Sequence, residues 1–173
     1  MWNKYPETGK IMNSSAQQDR KATVKALTEL LNGGHAHVTF EDAVKDVPAA
    51  QRCIRAKELP YSIWELVEHI RITQWDILEF STNPEYRELS WPDDYWPGTE
   101  KPADEAAWEK TIAQIRQDRE KFIALLKKPE NDLYTPFAHG NGQNLIREAM
   151  LIADHTSYHT GQIILVRRLL GIW

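Results

Sequence analysis

The chain has 173 residues, of which 42% are hydrophobic and 27% charged, with a formal net charge of −4. That length and apolar content suit a single domain over residues 1–173 and exclude a chain disordered as a whole. Charges of both signs are mixed throughout, so no electrostatic footprint for nucleic acid exists, and no apolar run is long enough to span a membrane.

The opening stretch, MWNKYPETGKIMNSS, lacks the apolar core of a secretory signal, and a cytoplasmic location is expected. A first helix is expected from Ser15 to Asn32, with Val24, Leu27, Leu30 and Leu31 on one side and Gly33 and Gly34 stopping it. The long connection that follows, from Gly33 to Tyr61, contains Thr39-Phe-Glu-Asp42, which has the form of a helix start. A short helix from Phe40 to Val47 is expected there. The lone cysteine, Cys53, rules out an intramolecular disulfide and reads as a buried or half-buried thiol rather than a nucleophile.

The second long helix is expected from Ser62 to Ser81, where Pro60 and the capping-box spacing of Ser62 and Glu65 mark the start. After it, Pro84 to Pro102 forms an irregular connection around Ser90-Trp-Pro-Asp-Asp-Tyr-Trp-Pro-Gly98. The chain has seven tryptophans, and Trp91, Trp96 and Trp108 lie in or beside this segment. Large rings in a long connection either anchor it to the core or wall a pocket. The third helix is expected from Asp104 to Lys127, and the fourth from Asn144 to Leu170, ending at Gly171. Arg167 and Arg168, near that end, suit the negative pole of the helix dipole. No segment alternates in the manner of a strand, so the class is all-α, a four-helix bundle.

The fourth helix contains Asp154-His-Thr-Ser-Tyr-His159. His155 and His159 are four residues apart and project from one face. At 100° per residue, His155, Ile152, Ile163, Val166 and Leu170 all fall within about 40° of His159. The pair therefore sits on a core-facing stripe, where an unpaired imidazole is costly. His69, in the middle of the second helix, adds a third imidazole on another core-packing helix. Three histidines from two helices can hold one divalent ion and leave positions open, the arrangement of a catalytic rather than a closed structural zinc site. Neutral imidazole suits zinc, nickel, iron or copper. No HExxH is present, and no glutamate stands three residues before any of these histidines, which excludes the di-iron carboxylate bundle and with it a redox or storage role. His35 and His37 read as surface histidines near a helix end, and His139 as a loop residue upstream of the fourth helix. Among carboxylates, Glu65, Asp76 and Glu148 share the relevant faces, as candidate bases, acceptors for an imidazole N–H, or solvated residues.

These residues resemble the DinB-like superfamily of metal-binding four-helix bundles. The resemblance rests on Trp64-Glu-Leu-Val-Glu-His69 and on Asp154-His-Thr-Ser-Tyr-His-Thr-Gly-Gln162, with Gly140-Asn-Gly-Gln-Asn144 upstream, and extends over nearly the whole chain. It implies a bundle with an unusual helix order, often a homodimer, carrying nickel, zinc or a similar ion on His69, His155 and His159. Some relatives are transferases or isomerases that use a low-molecular-weight thiol, and others are metal-dependent hydrolases. Three roles follow for this chain: an S-transferase acting on a small electrophilic substrate, a hydrolase, or a non-catalytic bundle in which the metal staples helices or binds a ligand.

Overall fold

A computed structural model describes residues 8–98 and 104–173, with side chains from residue 15 onward. Residues 1–7, read above for a signal, and residues 99–103 of the second connection lie outside the described residues.

All regular structure among the described residues is helical. The first helix, α1 (Thr8–Asn32), begins earlier than Ser15, in a stretch where no apolar periodicity signals it. It stops where Gly33 and Gly34 take left-handed φ values of 69° and 90°. A short helix, α2 (Phe40–Val44), follows, with the capping box of Thr39 and Asp42 expected at its start. It ends before Val47 because Lys45 is extended and Asp46 is left-handed, with φ 55°. Ser62 and Glu65 form the expected capping box at the head of α3 (Ile63–Thr82). Asp104 accepts from Ala107 N–H to start α4 (Glu105–Lys127), and Asn144 accepts from Arg147 N–H to start α5 (Leu145–Leu169). Cys53 is exposed in the turn after Gln51, not buried or half-buried as expected, since that turn lies outside the apolar core.

The bundle pairs α1 with α4 and α5, and α3 with the same two helices, so consecutive long helices α1 and α3, and again α4 and α5, lie across its diagonals. Polar contacts give the directions. Glu68 accepts from Thr111, and Gln74 donates to the Ile115 carbonyl, so α3 and α4 run in parallel. The chain leaving α3 must therefore travel back along its length, about 30 Å for a helix of this size, before α4 can begin. This return carries the Trp-rich segment past the side of α3.

Two apolar clusters fill the interior. Ile63, Leu66, Ile70, Ile112, Ile115, Ile163 and Val166 form part of one, and Ile77, Leu78, Phe122, Leu126, Leu145 and Ile152 part of the other. Between them along α3, α4 and α5 fall Gln74, Asp76, Asp118, His155, His159 and Thr160, a polar belt at mid-bundle. Connections are tied down by arginines. Arg52 is buried, pairs with Glu105 and lies 4.4 Å from the Trp108 ring. Arg167 is also buried; it donates to the Ala43 and Lys45 carbonyls at the end of α2 and to the Ile172 carbonyl. It thus serves another helix end as well as its own. Among the described residues, no helix is long and apolar enough to cross a membrane.

Candidate metal centre

His69 lies at the end of the second turn of α3, and His155 and His159 lie one turn apart in the middle of α5. The ring centroids are 4.8 Å apart for His69 and His155, 4.6 Å for His69 and His159, and 4.4 Å for His155 and His159. Antiparallel packing of α3 on α5 brings them to one level of the bundle. One ligating atom from each lies within 4.8 Å of the other two, so the cluster can hold a metal ion.

The ring orientations fit that use. His69 Nδ1–H donates to the Tyr95 carbonyl at 2.8 Å, and His159 Nδ1–H donates to Gln162 Oε1 at 2.7 Å. Each bond fixes a tautomer and leaves Nε2 as the lone-pair nitrogen. His155 Nε2 lies 3.0 Å from His69 Nε2. Since the His69 nitrogen is an acceptor there, His155 donates through Nε2–H. Two nitrogens about 2.1 Å from a common ion, at a right angle, would be about 3.0 Å apart. That spacing suits right-angle positions around a divalent ion, a tetrahedral ion calling for about 3.4 Å, and ligation requires the His155 proton to move from Nε2 to Nδ1.

Burial keeps all three rings uncharged. It pushes His155 down to about 3, with the neighbouring charges of His159 and His69 acting in the same direction. It pushes His159 down to about 4, against the bond to Gln162. His69 is also lowered by burial, partly offset by its bond to Tyr95. Neutral imidazoles are the ligating form, so no protons need be removed from cationic rings near neutral pH.

A cavity of about 540 Å³ opens beside the three rings. Its walls include Tyr61, Trp91, Tyr95, Trp96 and Tyr158, together with Thr73 and Gln162, and no Asp, Glu, Lys or Arg is among its lining residues. Trp96 stacks on His69 with ring centroids 4.0 Å apart. The returning connection is thus both anchored and a pocket wall. Its anchor is Asp76, which accepts from Tyr86 and Tyr95 hydroxyls at 2.7 and 2.8 Å. Those bonds and burial push the Tyr86 hydroxyl up to about 12 and Tyr95 higher still.

The other carboxylates considered as bases are engaged away from the cavity. Glu65 caps α3 and pairs with Arg55. Glu148 is buried and pairs with Arg147. His139 is exposed; it donates to the Phe80 carbonyl and stacks on Phe137, at the far end of α3 from His69. His35 and His37 border a second cavity of about 410 Å³ on the other side of α5. There His37 donates to the Val38 carbonyl, and Ser157 donates to its other nitrogen. Sequence reasoning did not assign roles to Thr73, Tyr95 or Tyr158. Thr73 was accessible to it, as the residue one turn after His69 on the same face; Tyr95 acts through its backbone carbonyl, which no side-chain pattern reveals.

The family model described as the DinB superfamily matches residues 35–163, which include all three histidines. No curated protein and no solved structure matches the chain. The chain belongs to the DinB superfamily.

Proposed function

For this member of the DinB superfamily, we propose that His69, His155 and His159 bind one divalent ion, nickel or zinc, and that the protein transfers a low-molecular-weight thiol to a small electrophile. One observation carries the reading: three neutral imidazoles converge beside an aromatic-walled cavity that has no carboxylate among its lining residues. A bound divalent ion would supply positive charge that favours thiolate over thiol.

The protein's own residues supply the rest. Tyr95 and Gln162 hold the rings in the ligating tautomer. The aromatic walls present flat apolar surface to the electrophile. In the transfer the thiol gives its proton to solvent, its sulfur forms the new carbon–sulfur bond, and the bond from that carbon to the leaving atom breaks with the electron pair on the latter. That atom departs as chloride or, in an epoxide, takes up a proton as the alcohol oxygen. The hydrolytic alternative calls for a general base near the reacting water. Glu65, Asp76 and Glu148 have other partners, which supports thiol transfer over hydrolysis.

The test begins with elemental analysis of tag-free protein and of the variant His155→Ala. Near-stoichiometric metal in the parent and its loss in the variant are expected. The metal-loaded protein is then assayed with cysteine or 2-mercaptoethanol against 1-chloro-2,4-dinitrobenzene and an epoxide. Thioether formation that depends on metal supports the transferase. Ester cleavage without thioether formation points to the hydrolase, and metal without turnover to a ligand-binding or stapled bundle.

A further inference from the structure

We propose that the hydroxyl of Thr73 is the hydrogen-bond donor to the anion that occupies the open side of the three-histidine centre. This rests on the metal reading above and adds to it the residue that recognises the incoming ligand.

The observation is a hydroxyl left over. Thr73 Oγ1 is shielded from solvent and has no hydrogen-bond partner among the described residues. A buried hydroxyl without a partner is costly, and native folds keep few of them. Helical serines and threonines usually escape by bonding back to the carbonyl one turn earlier. Elsewhere in this protein they do so: Thr23, Thr28, Ser81, Thr82 and Thr160 each donate to the carbonyl four residues before, at 2.7–2.9 Å. Thr73 has the carbonyl of His69 in that position and makes no such bond.

Its position indicates a use. Thr73 follows His69 by one turn, and helical side chains lean toward the N-terminus, so it covers the level at which His69 sits. It lines the same cavity as the three histidines. With no lysine or arginine among the lining residues, an anion entering this cavity has the metal as its charge partner and needs a neutral donor to orient it. The ligand class is accordingly small and singly charged at the binding atom, with an uncharged body facing the aromatic walls. A simple thiolate fits, and so does azide as a probe.

Cobalt(II)-loaded parent, Thr73→Val and Thr73→Ser are compared, after cobalt per chain has been measured for each. Azide and 2-mercaptoethanol are then titrated against the visible cobalt spectrum. Valine keeps the volume and removes the unsatisfied hydroxyl, so equal cobalt content and an unchanged or higher melting temperature are expected. Both anions should bind about tenfold more weakly to Thr73→Val, the loss of one hydrogen bond to a charged acceptor. Thr73→Ser should restore the parent's affinity to within about twofold. Equal affinities in the parent and Thr73→Val overturn the assignment while the metal reading stands. Loss of cobalt or of fold in Thr73→Val, repeated in Thr73→Ala, assigns the residue a structural role and also overturns it. A parent that takes up no cobalt removes the metal reading and this assignment together.

Discussion

Trp96 lies flat on His69, with 3° between the ring planes and 4.0 Å between the centroids. The preceding residue, Tyr95, accepts from the same imidazole through its carbonyl. Two consecutive residues of the returning connection therefore orient one histidine, from its face and from its edge. Trp96→Leu should leave the helical circular dichroism intact and weaken nickel binding about three- to tenfold, because the ring keeps its hydrogen bond and loses its stacking face. Competition against a chromophoric chelator measures this. Unchanged affinity would show that the indole is merely nearby.

Gln162 stands to His159 as the Tyr95 carbonyl stands to His69. Replacing it with leucine removes the acceptor that fixes the His159 tautomer. Metal affinity is expected to drop about 10- to 100-fold, as is usual when such a supporting partner is lost. Gln162→Glu keeps an acceptor at the same reach and should restore binding. If leucine binds metal as tightly as glutamine, the bond has no role in ligation.

The helices and the histidine cluster were legible because periodicity and i, i+4 spacing are local properties. Ser62, Asp104 and Asn144 mark helix starts by their chemistry alone, and the angular position of His155 relative to Ile152 and Val166 places it inward without any knowledge of the partner helix. The role of the Trp-rich connection was not legible. It depends on α3 and α4 running in parallel, a long-range fact carried by pairs such as Glu68 with Thr111. Nor could any spacing rule show that Asp76 would be occupied by Tyr86 and Tyr95, 10 and 19 residues away.

Asp76 supplies the next test. Asp76→Ala would strand two tyrosine hydroxyls and detach the connection from α3. A loss of about 2–4 kcal/mol in urea denaturation is expected, as for two buried hydrogen bonds with one charged acceptor. Tryptophan fluorescence should become more accessible to acrylamide as Trp96 loosens. The variant Tyr86→Phe, which gives up one of the two bonds, should show a smaller loss. Stability equal to the parent's would mean that the tyrosines hold the segment by ring packing alone.

Glu148 contributes to stability in the opposite sense. Its side chain is 2% exposed, and burial holds its carboxyl above the ordinary glutamate value of 4.5 despite the bond to Arg147, with the charge of Asp76 pushing the same way as burial. The unfolded chain releases this proton near 4.5, whereas the folded chain releases it only at higher pH. Between those two values the folded state holds a proton that the unfolded state has lost. Stability therefore falls as pH rises through that window, and the loss is complete above the folded value. Glutamine has no proton to lose and fills nearly the same volume. Glu148→Gln should consequently raise the urea midpoint at pH 7.5, and the advantage should shrink toward zero at about pH 3.5, well below the unfolded value, where glutamate is largely neutral in both states. Paired denaturation curves at the two pH values give the comparison directly. A variant less stable than the parent at pH 7.5 would mean that the ion pair with Arg147 outweighs the burial of the charge.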